Sequence, residues 1–274
     1  MYTYTITKIA DLPRAPHATF IFTNPEDLPK LATNPNITMQ LGTFDEDLPV
    51  IVVVPGDEVA SIYDRACGPN TYILILDKKT CSWQYVFSYL LTESDAPYKT
   101  ALFTEWNVLL SSAKTGVLYN MRKNPNYFWE GVTENLDYSD WFANMEQTMI
   151  DNHLCSVGVD RRHGTDLVTL MNAGEDYHYP IQLVMYDFDT LRRLKVSRNS
   201  GINATNSVVR DTLIDLAIRD AGGSTDTVPI FHINTPSVHY TEEDLHAIIN
   251  LPAKYPALFR RVTNADLRTR KQTS

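Results

Sequence analysis

Apolar runs bounded by Pro, Gly, Asn and Asp dominate the first third of the chain. TFIF at 19–22, PVIVVV at 49–54 and TYILIL at 71–76 are β-branched or aromatic and predict short strands. Between them DEVASIYDRA, from Asp57, has a carboxylate-rich first turn and predicts a short helix stopped by Gly68 and Pro69. The period then lengthens to that of a helix. In SWQYVFSYLLTE, from Ser82, the side chains of Trp83, Val86, Phe87, Leu90 and Leu91 share one stripe and predict a buried helix.

Further along, TEWNVLLSSAK predicts another helix closed by Gly116, and residues 124–135, containing NPNYFWEG, predict an aromatic-rich loop. DYSDWFANMEQTMIDN predicts a helix capped by Ser139 or Asp140, with Trp141, Met145, Thr148 and Met149 inward. LCSVGVD predicts a strand and DRRHGTD an exposed charged loop. PIQLVMYDFD and the segment ending at Arg198 predict two strands joined by a short reversal. SVVRDTLIDLAIRDAGG predicts an amphipathic helix with Val208, Leu213, Leu216 and Ala217 inside and Gly222-Gly223 as its stop, before a last strand running to His239. The basic tail after Pro256 is expected to fray. Strands and helices without repeat or low-complexity linker predict one α+β domain over 1–274, with a divergent portion at about 1–80.

Composition narrows the partners. A net charge of −9 lacks the clustered Lys and Arg that tracking a phosphate backbone requires, which argues against a long nucleic acid but leaves room for a small anion held by one or two arginines. Cys67, Cys81 and Cys155 are odd in number and form no CxxC pair, so a disulfide framework is not expected and a reducing compartment is. The apolar run at 48–55 is far too short for a bilayer, and the first residues carry no signal-peptide pattern, so the expected location is cytoplasmic, without membrane contact. Seven histidines show no metal-ligand spacing, and no metal is expected.

Three segments carry a resemblance. EWNVLLSSAKTGVLYNM, KVSRNSG and IFHINTPSVHYTEEDL fall in the order and spacing of the nucleotide-binding half of the thymidylate synthase and deoxycytidylate hydroxymethylase family, over roughly residues 83–245. The resemblance implies a thymidylate-synthase-like three-layer fold with a large mixed sheet packed against helices, and a homodimer formed through the sheet face. It implies a pyrimidine nucleotide of dUMP or dCMP type, its phosphate on Arg198, its base read by Asn206, its ribose on His239, and Tyr119 nearby. Arg161, Arg162 and His163 would stand at the pocket rim. Each has a plainer alternative: Arg198 as a surface arginine on a hairpin, Asn206 as a helix cap, His239 as a loop hydrogen-bonder, and the Arg161–His163 run as a solvated face.

The chemistry of that family is incompletely represented. Its nucleophilic cysteine falls where this chain has His178, Tyr179 and Pro180, and its catalytic glutamate where it has Ser88 and Tyr89. His178 and Tyr179 are weak substitutes for the thiolate that makes C5 nucleophilic by adding at C6. Two readings follow: a divergent C5 methyl- or hydroxymethyltransferase, using methylenetetrahydrofolate if the activity is kept, or an inactive homologue kept as a dimeric interaction module.

Overall fold

The computed structural model describes residues 4–23, 48–64, 70–77, 80–93, 98–105, 108–110, 117–120, 129–132, 141–161, 180–198, 207–230, 242, 246 and 250–254. Eight strands make one mixed sheet: β1 (Tyr4–Ile6), β2 (His17–Phe22), β3 (Val50–Val54), β4 (Thr71–Ile75), β5 (Thr100–Glu105), β9 (Ser156–Arg161), β10 (Pro180–Asp187) and β11 (Thr225–Ile230). Their spatial order is β1-β4-β3-β2-β5-β10-β9-β11. The neighbours from β1 to β5 pair in parallel, β10 is antiparallel to both β5 and β9, and β11 is parallel to β9. Only β10 therefore runs against the rest. β6 (Val108–Leu110), β7 (Val117–Asn120) and β8 (Trp129–Val132) form a small antiparallel sheet.

Helices α1 (Asp57–Asp64), α2 (Trp83–Thr92), α3 (Trp141–Asp151), α4 (Phe188–Arg193), α5 (Ser207–Asp220) and α6 (Leu251–Lys254), with a short 3-10 turn at Ile9–Asp11, complete the described elements. The central strands are apolar at successive positions because both of their faces are covered, the usual state of a parallel sheet. Ile51 and Val53 join the main core with Phe20, Phe22, Phe103 and Tyr186, while Val50, Val52 and Val54 are equally buried on the opposite face. On the main-core face α2 brings Trp83 and Phe87, and α5 brings Leu213, Ile214 and Ala217. On the other, α1 packs on β3 and β4, and α3 packs on β9 and β10 with Met145 and Met149 buried.

Local chemistry sets the ends of these helices. The Ser82 hydroxyl accepts from the Tyr85 amide at 3.1 Å, so α2 starts where expected and buries the whole predicted stripe. α5 stops at Gly222, whose φ of +87° closes a Schellman turn with the Gly223 amide donating to Ile218 at 2.9 Å.

Four expectations change. TEWNVLLSSAK is not a helix where it is described: Thr104 and Glu105 end β5 of the large sheet and Val108–Leu110 is β6 of the small one. NPNYFWEG contributes β8. The segment after β10 is helix α4 and not a returning strand: the Asp187 carboxylate accepts from the Thr190 amide at 3.1 Å and from its hydroxyl at 2.7 Å, a cap that turns the chain into a helix. Finally, the apolar residues of β2, β3, β5 and β10 are already buried within one chain, so their need for cover does not by itself call for a second copy.

Candidate functional site

The strand order fixes where a ligand crevice lies. From β2 the chain builds outward through β3 and β4, then returns past β2 to lay down β5 on the other side. Connections leaving the carboxyl ends of β2 and β5 therefore diverge, and in open α/β sheets ligands bind at such a switch point. Phe22 and Thr23 stand at the carboxyl end of β2 and Thr104 and Glu105 at that of β5, all four buried. Nearby, on the same edge, Gly56 turns β3 into α1 with a φ of +134°, a conformation glycine adopts without strain.

Beneath the crevice lies a buried charge cluster. Glu105 is 1% exposed, Asp211 2% and Arg210 6%. The Arg210 guanidinium donates from Nε to Asp211 Oδ1 at 2.6 Å and from Nη2 to Glu105 Oε1 at 3.5 Å, and it lies 4.2 Å from the centroid of the Trp83 ring. Burial alone pulls the Arg210 pKa down, but the carboxylates of Asp211 and Glu105 outweigh it and raise it, so the group stays charged. Burial, with Asp211 second, drives the Tyr186 hydroxyl well above the usual phenol range. One turn further along α5, Asp215 accepts from Arg219 Nε at 2.9 Å. The cluster ties the start of α5, the end of β5 and the start of α2 into one rigid floor.

That floor is not built for a divalent cation. Glu105 and Asp211 already hold a guanidinium between them, and no group of three or more His, Cys, Asp or Glu among the described residues is arranged to ligate a metal. Cysteine chemistry has no place there either. Cys81 donates to the Thr23 carbonyl at 3.7 Å, and burial, then Asp77, pushes its thiol up to about 12. Cys155 is a buried thiol, also raised chiefly by burial.

Of the residues nominated from sequence, Tyr119, Arg161 and Arg198 are among the described ones. Arg198 is exposed in the turn after α4, where its carbonyl accepts from the Ser88 hydroxyl. Tyr119 is in β7 of the small sheet and Arg161 ends β9. His178, Tyr179, Asn206, His239, Arg162 and His163 lie outside the described residues. Asp187, the last residue of β10, caps α4, and Asp189 in its first turn pairs with Arg192 Nη1 at 2.9 Å. Glu105 and Arg210 were missed because they are distant in sequence and follow no motif spacing.

No protein-family model matches the chain, and no curated protein matches it. Among solved structures it is similar to S. aureus TarS 1-349, at 10% identity over 88% of this chain and 65% of that one, with a TM-score of 0.47. It is similar also to 4-diphosphocytidyl-2C-methyl-D-erythritol synthase of Anaerococcus prevotii, at 11% identity, 86% and 95% coverage and a TM-score of 0.46. A third is glucosyl-3-phosphoglycerate synthase of Mycobacterium tuberculosis, in complex with Mn2+, uridine diphosphate and glucosyl-3-phosphoglycerate, at 9% identity, 93% and 88% coverage and a TM-score of 0.47. The chain spans just under two thirds of the TarS chain. With TM-scores below 0.5, these likenesses do not decide what the chain binds.

The resemblance to thymidylate synthase does not survive. Its central motif needs a strand returning to Arg198, and that segment is helix α4. None of the three solved structures is an enzyme of that family. With it go the pyrimidine C5 transfer, the hydroxymethylase and methyltransferase readings, and the inactive-relative alternative. What stands is an α/β fold with a large mixed sheet packed between helices, in which no described helix is long and apolar enough to cross a membrane.

Proposed function

We propose that the chain is a nucleotide-sugar transferase of Rossmann-like, GT-A type, binding the nucleotide in the crevice between the carboxyl ends of β2 and β5. The observation that carries this reading is the switch in strand order at that point. A second feature supports a two-part ligand over a mononucleotide. β9 and β11 run in the same direction as β5, so their carboxyl ends extend the same edge beyond the crevice. A nucleotide at the switch point would leave its attached group over that second half, within reach of an acceptor. The reaction class is displacement at the sugar's anomeric carbon by an acceptor hydroxyl, with the nucleoside diphosphate leaving.

Binding of UDP, GDP, UDP-glucose and GDP-mannose, each with and without Mn2+, tests this by amide hydrogen exchange on the whole chain. The expected result is protection at Phe22, Thr23, Thr104 and Glu105, with Lys99 and Thr100 unchanged. Absence of protection with every nucleotide, or protection confined to Lys99 and Thr100, would overturn it.

A further inference from the structure

At the opposite edge of the sheet, about 17 Å down β5 from Glu105 at ~3.3 Å per residue, lies a cavity of about 390 Å3 between the start of β5, the end of α3 and α4. That volume suits a small molecule. Its floor is apolar, with Met149 4% and Leu154 9% exposed. Ile150, 58% exposed, also lines it. Among the described residues the other large hydrophobic so exposed is Tyr4, which stacks on Tyr72 at 5.3 Å.

The polar groups of this cavity divide by sign. Its two carboxylates are engaged within the protein: Glu146 Oε1 accepts from Thr100 Oγ1 at 3.1 Å and lies 3.2 Å from His17 Nδ1, and Asp187 caps α4. Its basic groups face the space with less commitment. Lys99 and His153 make no side-chain hydrogen bond or ion pair among the described residues, and Arg193 Nη2 donates to Thr190 Oγ1 at 2.6 Å. His153 also stands where glycine is the usual residue. It follows α3 with a φ of +54°, the Leu154 amide closing the turn on the Met149 carbonyl at 2.8 Å. An imidazole kept at a left-handed position costs conformational energy that a glycine would not.

We propose that this cavity is a second ligand site, for a small organic anion in which a carboxylate or phosphate monoester is carried on an apolar body. Lys99, His153 and Arg193 meet the anion, and Met149, Ile150 and Leu154 meet the body. The site is independent of the crevice at the other edge.

Four probes titrated into the full chain, followed by amide 1H–15N shifts, test it: phenyl phosphate, benzoate, inorganic phosphate and benzyl alcohol. Phenyl phosphate and benzoate are expected to move the amides of Lys99, Thr100, His153 and Leu154. Inorganic phosphate is expected to bind more weakly than phenyl phosphate, because it lacks the apolar body, and benzyl alcohol more weakly than benzoate, because it lacks the charge. His153→Gly keeps the fold, since glycine suits that backbone, and is expected to weaken phenyl phosphate by about three- to tenfold, as is Lys99→Ala. Equal binding of benzyl alcohol and benzoate, equal binding of the two phosphates, indifference to both variants, or shifts confined to Glu105 would each overturn the proposal. Nucleotide binding at Glu105 can succeed or fail without touching this outcome.

Discussion

The two edges of the same strand differ in how they treat charge. At the carboxyl end of β5, Glu105 is buried and shares the Arg210 guanidinium with Asp211 over the face of Trp83. At the amino end, Lys99 is exposed beside a cavity, with His153 and Arg193 also exposed around it. Charge taken out of water must be paired, and pairing at several points makes a floor rigid. Charge left in water carries no such penalty and stays available to a ligand. The carboxyl edge therefore has a fixed base, and the amino edge presents its basic groups directly.

Removing one partner from each edge breaks the comparison if it is wrong. Arg210→Ala strips the cation from two buried carboxylates and is expected to cost about 3–5 kcal/mol in urea unfolding. Lys99→Ala, which uncovers nothing, is expected to stay within about 0.5 kcal/mol. Replacing Arg210 by Met together with Glu105→Gln and Asp211→Asn removes the whole set and should recover most of the loss. Comparable costs for Arg210→Ala and Lys99→Ala would show that the cluster is not the rigid element.

A titration on the carboxyl side sharpens the same point. The Cys81 thiol, ordinarily near 9.0, is held up to about 12 by burial and Asp77. Below about pH 9 it is protonated folded or unfolded and stability is unaffected. Between the two values the unfolded chain loses the proton while the folded chain keeps it, so stability falls as pH rises, and the loss is complete above the folded value. Tyr98 and Tyr186, both raised chiefly by burial, add in the same direction at higher pH. Urea midpoints at about pH 8, 9 and 10 are expected to decline, and Cys81→Ala to flatten that decline.

Which parts were legible follows from where the information resides. β2, β3 and β4 were plain because strands buried on both faces need unbroken β-branched runs, and α2 because its stripe and its Ser82 cap agree. β5 was hidden since Leu102, Phe103 and Thr104 fit a helix as well as a strand, and the decision belongs to β2 and β10 on either side. The turn into α4 did have a local signal, Asp187 three residues before Thr190, which a family pattern ending at Arg198 obscured. The crevice had none. Glu105 and Arg210 meet only because α5 packs across the sheet, and no spacing along the chain records that.

That missed cap gives the next prediction. Asp187→Ala removes the acceptor of the Thr190 amide and hydroxyl at the edge where the second cavity lies, and is expected to cost about 1 kcal/mol. Asp187→Asn or Asp187→Ser, which still cap, should lose only a fraction of it. Far-ultraviolet circular dichroism and urea midpoints check both, and an unchanged midpoint for Asp187→Ala would return the segment to a strand or loop.

The smallest effects come from the two left-handed residues, His153 at φ +54° and Lys195 at φ +56°. Both follow short turns in which an amide closes back five residues, Leu154 on Met149 and Val196 on Leu191. Glycine relieves the backbone at either place but adds freedom to the unfolded chain, so each replacement is expected to raise stability by about 0.5 kcal/mol. Their consequences for binding should separate. Lys195 does not line the cavity, and Lys195→Gly is expected to leave phenyl phosphate binding unchanged, whereas His153→Gly weakens it. Stability gained equally by both, with binding lost in only one, would show that the imidazole is held at a strained position for the ligand. Binding lost in both would mean that the turns themselves, and not His153, shape the site.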